Sequence, residues 1–199
     1  MKKFMTLALS FLLLFSAVAC NNRDKDTTEN KAKATTDQAT DQLEDDGYYN
    51  TYRGLYDENI GTLGQYSMYT DVDSVNNAYK DKEYPGNEKY LNEVKSAYKD
   101  SKEKIQAFID GLKNDAKTED KDLKKMNEDL IAEGEKAIQD IDGKLARLDK
   151  INKKDYNKTQ EEFIKLVDNT AREGENVNNS FQDMLKNMDT KLGIDRKNK

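Results

Sequence analysis

Cys20 is the residue of this chain best placed to do chemistry, because it is the only thiol among 199 residues. The chain contains no His, so catalytic dyads, triads and metal sites that depend on an imidazole are excluded. A lone cysteine also excludes a disulfide within the chain. The chemistry to be explained is therefore that of one thiol. It stands where an apolar stretch ends and a strongly polar one begins.

The segment before Cys20 has the features of a secretory signal peptide. Lys2 and Lys3 give it a positive start, and residues 4–18 form an apolar run too short to span a bilayer comfortably. Residues 16–19, Ser-Ala-Val-Ala, resemble the bacterial lipobox, in which small residues precede a cysteine that receives lipid. The pattern predicts that residues 1–19 are a signal peptide.

The lipobox predicts cleavage between Ala19 and Cys20, with a diacylglyceryl thioether on the Cys20 sulfur and a further acyl chain on its new N-terminus. Two or three such chains hold a protein firmly at a membrane. Ala17 departs from the motif, since Leu is most usual there, and an ordinary secreted protein with a free thiol is the alternative. In a Gram-negative cell, Asn21 after the anchor resembles the signal for the outer membrane. In a Gram-positive cell, the anchor would hold the protein at the cell membrane.

Residues 20–46 read as the lipidated cysteine followed by a disordered polar tether, because Leu43 is the only large apolar residue after Cys20. Removal of the signal peptide would take away Lys2 and Lys3 and no acid. The mature chain would then carry 31 basic and 39 acidic residues, a net charge of −8. That charge argues against binding to nucleic acid and against electrostatic docking on anionic lipid. The predicted membrane contact is the acyl anchor alone.

From residue 47 onward the apolar residues recur at helical spacing, which predicts an all-α, elongated, antiparallel bundle of about four helices over residues 47–193. Residues 194–199 are predicted to form a C-terminal tail. The expected segments are a first helix over 49–66, a connection over 67–86 with a short helix at 74–79, a second helix over 87–113 with Asn87 as its cap, a third from Thr118 to Leu148, and a fourth from Asp155 or Thr159 to Leu192.

Ten of the eleven tyrosines lie between Tyr48 and Tyr98. One interpretation is that they fill the core between the first two helices. The other is an aromatic surface that grips a glycan, a small molecule or a protein, since tyrosine combines a large apolar ring with a polar tip. The tyrosines expected at such a surface, around the connection of residues 66–84, are Tyr48, Tyr69, Tyr79 and Tyr84.

The layout resembles the YiiG-like family of bacterial lipoproteins, an all-helical group without an assigned activity. The likeness rests on the lipobox, on Tyr49-Asn50-x-Tyr52 at the start of the domain, on Tyr66, and on residues 91–112. It covers about residues 48–192. The resemblance implies a helical lipoprotein and no catalytic residues.

No catalytic, metal or cofactor site is predicted. Asp71 and Asp73 resemble the opening of a calcium loop, but Asn76 and Lys82 occupy the positions of its glycine and its bidentate glutamate. The sequence therefore predicts a non-enzymatic, lipid-anchored envelope protein whose helical domain contacts an envelope or extracellular protein. The alternative is a module that binds a small molecule or a glycan through residues 66–84.

Overall fold

The computed structural model describes residues 47–69, 71–174 and 180–196. The predicted signal peptide, Cys20, its cleavage site at Ala19 and the predicted tether lie outside these residues. The described elements are α1 (Gly47–Glu58), a first 3₁₀ helix (Ile60–Tyr69), α2 (Val72–Ala78), α3 (Asn87–Asn114), α4 (Lys121–Leu148), a second 3₁₀ helix (Lys153–Asn157), α5 (Gln160–Arg172) and α6 (Ser180–Lys191).

The all-α fold is confirmed, since six α-helices and no strand are present in the described residues. The helices are not four continuous rods, however. α3 and α4 were expected nearly as they occur, and each has 28 residues, a length of about 42 Å. Asn87, expected to cap α3, is instead its first residue, and its side-chain amide donates to the carbonyl groups of Tyr156 and Lys158. The first and fourth predicted helices are each broken into shorter pieces.

α3 and α4 form an antiparallel hairpin that is the spine of the domain. Three ion pairs between them, Lys95–Asp149, Lys102–Asp142 and Lys113–Glu135, join positions that rise along α3 as they fall along α4. The α4 N-terminus is closed by Asp120, whose carboxylate accepts the backbone N–H groups of Asp122 and Leu123 at 2.8 and 3.0 Å. Thr118, expected to start this helix, lies just outside it.

The first predicted helix ends at Glu58, and the chain continues as a 3₁₀ helix. Gly61 and Gly64 lower the α-helical tendency of this segment by about 1 kcal/mol each relative to Ala. A 3₁₀ helix has three residues per turn, so Ile60, Leu63 and Tyr66 align on one face. This geometry buries Ile60 and Leu63 completely or nearly so. Along α1 and the 3₁₀ helix, later residues contact earlier residues of α3: Tyr52 meets Phe108, whereas Tyr69 meets Glu93. Both elements therefore run antiparallel to α3.

The fourth predicted helix is interrupted after α5. Gly174 adopts φ +71°, a left-handed conformation that ends an α-helix and favours glycine. The start of α5 agrees with the expected capping box: Thr159 Oγ1 accepts the Glu162 N–H, and the Glu162 carboxylate accepts the Thr159 N–H. α6 then continues beside α4.

The core runs the length of the domain between these elements. Gly134 of α4 allows a close crossing, since a Cβ there would lie 2.6 Å from Ile109 Cγ2 and 3.2 Å from the Phe181 ring. Residues 194–196 were predicted to belong to a C-terminal tail, but they pack against the domain. Ile194 packs against the core, and Arg196 is held by charged and aromatic partners.

Two ends of the domain are named below. The Arg196 end comprises the start of α1, the loop of residues 115–120 and the end of α6; Tyr48 of α1 meets Asn127 of α4 and Met188 of α6 there. The groove end comprises the starts of α3 and α5, the end of α4 and residues 66–84. Along α3, Glu93 at the groove lies 15 residues from Phe108, which contacts tyrosines of α1, so about half the length of the helix lies between them.

Candidate functional site

Tyr48 was expected on the surface, and this prediction is wrong. Its side chain is completely buried, and its hydroxyl donates to Asn127 Oδ1 at 3.0 Å and to Met188 Sδ at 3.6 Å. These partners lie 79 and 140 residues away in the chain, so no local pattern reveals them. Tyr48 belongs to the core at the Arg196 end and has no part in a binding surface.

Tyr69, Tyr79 and Tyr84 do lie together at the groove end, each half-buried. They surround the buried Tyr90, with ring centroids of Tyr69 and Tyr84 at 6.3 and 5.8 Å from it. Tyr79 and Tyr84 contact each other edge-on at 5.5 Å. The tyrosine-rich segment is therefore both core and surface: the rings pack inward while their hydroxyls reach polar partners.

Glu93 of α3 is the acceptor for two of these hydroxyls. Tyr79 donates to Glu93 Oε2 at 2.8 Å, and Tyr69 donates to the same oxygen at 3.5 Å. Among the described residues, no basic side chain forms an ion pair with Glu93. Within the described residues, the two tyrosine hydroxyls are therefore the side-chain donors to this half-buried carboxylate.

An open groove of about 440 Å³ lies beside this carboxylate. Tyr66 and Tyr69 of the first 3₁₀ helix form one wall. The other side is one face of α3, formed by Lys89, Asn92, Glu93, Ser96, Ala97 and Asp100. These α3 positions recur every three or four residues, which places them on a single helical face. Aromatic rings, an amide, a hydroxyl and two carboxylates thus meet in one concave surface.

At the inner end of the groove, Asp100 has a complete set of partners. It accepts the Tyr66 hydroxyl at 2.6 Å and the Lys104 ammonium at 2.9 Å. The same ammonium lies 5.9 Å from the centroid of the Tyr66 ring. Burial acts to raise the pKa of Asp100, but the bonds from Tyr66 and Lys104 outweigh it and leave that pKa lowered.

The groove-end tyrosines hold their protons more tightly than free tyrosine. Burial, followed by the hydrogen bond to Asp100, raises the pKa of Tyr66 to about 12. Burial and the charge of Glu93 raise the pKa of Tyr84 to about 12. Burial and the bond to Glu93 raise the pKa of Tyr79 well above its usual value. At neutral pH these phenols are donors, not anions.

A second tyrosine–carboxylate cluster lies at the Arg196 end. Tyr52 donates to Asp189 Oδ1 at 3.1 Å, and Arg196 binds both oxygens of Asp189, at 2.6 and 2.8 Å. The Arg196 guanidinium carbon lies 3.3 Å from the centroid of the Tyr56 ring. A further bond of 3.2 Å reaches Asp57. Here the cation is supplied by the chain itself.

The described part of the chain brings together no group of three or more acidic side chains able to hold a metal ion. None of the helices in that part has the length and hydrophobicity needed to cross a bilayer. The chain matches no known protein family, no curated protein and no solved structure. The YiiG-like resemblance therefore remains a prediction, and the site has to be interpreted from its own geometry.

Sequence reasoning missed the polar half of the site. Glu93 and Asp100 read as ordinary charges on a solvated helix face, and Arg196 as part of a tail. One signal was available: Ile60, Leu63, Tyr66 and Tyr69 recur every three residues, the period of a 3₁₀ helix. That period places Tyr66 and Tyr69 on one edge, where they form the groove wall.

Proposed function

We propose that this protein is a lipid-anchored lipoprotein of the bacterial cell envelope, whose helical domain contacts another envelope or extracellular protein. The observation that carries the proposal is Cys20, the only thiol, placed directly after a signal-like segment and the lipobox-like residues 16–19. Cys20 lies outside the described residues, so the proposal rests on sequence for its anchor and on the domain for its contact surface.

The direction of the domain supports this proposal. Residue 47, where the predicted tether joins the domain, starts α1 at the Arg196 end. The groove lies toward the opposite end, beyond the middle of the α3–α4 hairpin. A tether of about 26 residues has an r.m.s. span of roughly 25–30 Å. An anchor on Cys20 would therefore leave the groove end free to meet partners away from the membrane.

The anchor is tested by expressing the full chain and a Cys20→Ser variant in a bacterial host with an alkyne analogue of palmitate. The wild-type chain is expected to incorporate the label and to partition into detergent, whereas the variant stays unlabelled. Both chains have the same helical domain, so the comparison isolates the thiol. A wild-type chain that is unlabelled and extracted by water would overturn the proposal.

The partner is tested by photo-crosslinking in intact cells. A photoreactive residue replaces Lys89 in the groove, and a control replaces Lys117, an exposed residue in the loop at the Arg196 end. We expect a discrete adduct from the groove position and none from the control. The absence of adducts from both positions would contradict an interaction role for this surface.

A second candidate function is a module that binds a small molecule, as the groove of about 440 Å³ favours. This volume is in the range of small-ligand sites, although such sites are usually more enclosed. Of the four tyrosines expected at a binding surface, Tyr69 lines this groove, Tyr79 donates to Glu93 in it, and Tyr84 packs against Tyr79. The second candidate differs from the first in needing no protein partner, and binding to the isolated domain tests it.

A further inference from the structure

We propose that the groove binds an organic cation, an ammonium or guanidinium group, at Glu93 beside the rings of Tyr66 and Tyr69. This inference rests on the groove being a binding site, as both candidate functions above require, and it names the chemical class of the ligand. The same chemistry is presented by a lysine or arginine side chain of a protein and by a free diamine.

Two other carboxylates of the domain already bind a cation beside a tyrosine. At Asp100, a carboxylate accepts a tyrosine hydroxyl and pairs with Lys104, whose ammonium lies over the Tyr66 ring. At Asp189, a carboxylate accepts the Tyr52 hydroxyl and pairs with Arg196. Tyrosine, carboxylate and cation form a complete set in both places.

Glu93 has the first two members of this set without the third. Two tyrosine hydroxyls converge on Oε2, and no hydrogen bond from a described residue reaches Oε1. Its side chain faces a groove, whereas Asp189 is closed over by its own arginine. A carboxylate that is partly removed from water interacts more strongly with a cation than an exposed one does.

The walls of the groove also favour a cation. Tyrosine rings attract cations through the negative faces of their π systems, a preference that neutral sugars do not share to the same degree. Glu93 and Asp100 are seven residues apart on α3, about 10 Å along its axis. Lys104 already neutralises Asp100, which leaves Glu93 as the groove's uncompensated charge.

Among the described residues, Lys89 is the one basic residue that lines the groove. It stands four residues before Glu93, an order of charges that makes a weaker helical ion pair than the reverse order. In the structure it is exposed and forms no ion pair with Glu93. Lys89 is therefore a competitor that a ligand has to displace or avoid, and it does not complete the set of partners around Glu93.

The test uses residues 20–199 with Cys20→Ser, a chain that contains every described residue, labelled with nitrogen-15 for NMR. The probes are 1,5-diaminopentane, the peptide acetyl-Ala-Lys-Ala-amide, its Gln counterpart, and a neutral disaccharide. We expect the two cationic probes to shift the amide signals of residues 89–100, with a Kd of about 1 mM or lower. The Gln peptide is expected to leave them unchanged.

Glu93→Gln keeps the acceptor for the tyrosines and removes the charge, so it is expected to weaken cation binding at least about tenfold. Glu103→Gln, the same change on an exposed residue of α3 outside the groove, is the matched control and is expected to have no effect. Equal binding by wild type and Glu93→Gln would overturn the inference.

The arms of this experiment also separate the possible sources and the two levels of proposal. Tighter binding of the lysine peptide than of the diamine points to a protein side chain, and the reverse points to a free amine; either result supports the inference. Shifts caused by the disaccharide alone would refute the cation and keep the groove as a binding site. Shifts from none of the probes would refute both, leaving the lipid anchor to its own test.

Discussion

Tyrosine hydroxyls meet a carboxylate at both ends of the domain, but among the described residues Asp189 is paired with a cation and Glu93 is not. At the Arg196 end, tyrosine hydroxyls and Asp189 are closed by an arginine from the last described residue of the chain. At the groove end, tyrosine hydroxyls converge on Glu93, and the space beside it is open. The first cluster joins α1 to the end of the chain, and the second is accessible from solution.

If the groove binds a cation as proposed, this difference separates stability from binding between two clusters of similar chemistry. A cluster whose cation is covalently part of the chain contributes to folding, because its ion pairs form whenever the domain is folded. A cluster without that cation gains its missing partner only from outside. We therefore expect mutations at the Arg196 end to change the free energy of unfolding most, and mutations at the groove end to change binding most.

The largest expected effect is a loss of stability at high pH, which acts on both ends. The pKa values of Tyr56, Tyr66 and Tyr84 are raised to about 12 in the folded domain. Unfolded tyrosine loses its proton near pH 10, so above about pH 10 the unfolded state binds fewer protons. Below about pH 10 these tyrosines do not lower the free energy of unfolding. Between about pH 10 and pH 12, each of them lowers it by about 1.4 kcal/mol per pH unit.

Urea unfolding between about pH 9 and pH 11.5, with phenolate absorbance recorded in parallel, measures this loss. Ionisation of most tyrosines near pH 10 in a domain that stays folded would contradict it. The two ends should differ in direction. Glu93→Gln is expected to lower the pKa of Tyr79, because that charge helps to raise it. Arg196→Met is expected to raise the pKa of Tyr56, because the guanidinium lowers it.

The next effect compares one tyrosine from each end. Tyr52 is completely buried and contacts Phe108 edge-on at 6.0 Å, so Tyr52→Ala is expected to cost about 3–5 kcal/mol of unfolding free energy. Tyr69 is only half-buried, and Tyr69→Ala is expected to cost about half as much. Chemical denaturation of both variants checks the ratio. Equal losses would mean that the groove end is as much a part of the core as the Arg196 end.

A smaller effect compares the two charged clusters directly. Arg196→Met leaves Asp189 half-buried without its cation, at an expected cost of about 1–3 kcal/mol. Glu93→Gln removes a charge that has no internal cation, so the expected cost is below about 1 kcal/mol. Urea unfolding at neutral pH measures both. A larger loss for Glu93→Gln than for Arg196→Met would reverse the proposed division between stability and binding.

The long helices were predictable from sequence because their information is local. Leu91, Val94 and Tyr98 of α3 recur at helical spacing with no proline to interrupt them, and the Thr159–Glu162 capping box marks the start of α5. The breaks in the first and fourth predicted helices were not predicted, because the apolar residues keep their helical spacing on both sides of Gly61, Gly64 and Gly174. That spacing does not reveal a change in backbone conformation. The effect of these glycines depends on the packing that follows.

The site was harder to predict than the fold, because its polar contacts are set by tertiary distance. Tyr52 meets Asp189 across 137 positions, and Tyr66 meets Asp100 across 34. The tyrosine bias pointed to the region of Tyr69, Tyr79 and Tyr84, which lies at the groove end, and a binding role for that region stays a prediction. It did not reveal Glu93, which looks like any other acid on a helix in a chain with 39 acidic residues.

The smallest effect concerns Lys89, the basic residue that shares the groove with Glu93. Its side chain is exposed, so Lys89→Met is expected to change the unfolding free energy by less than about 0.5 kcal/mol. Removal of its positive charge from the groove is expected to strengthen binding of a cationic probe about two- to fourfold, as Coulomb repulsion through water at about 5–10 Å implies. Lys99→Met, at an exposed α3 position outside the groove, is the matched control. If both variants bind the diamine and the lysine peptide as wild type does, Lys89 does not repel the ligand, and the bound cation does not lie near Lys89.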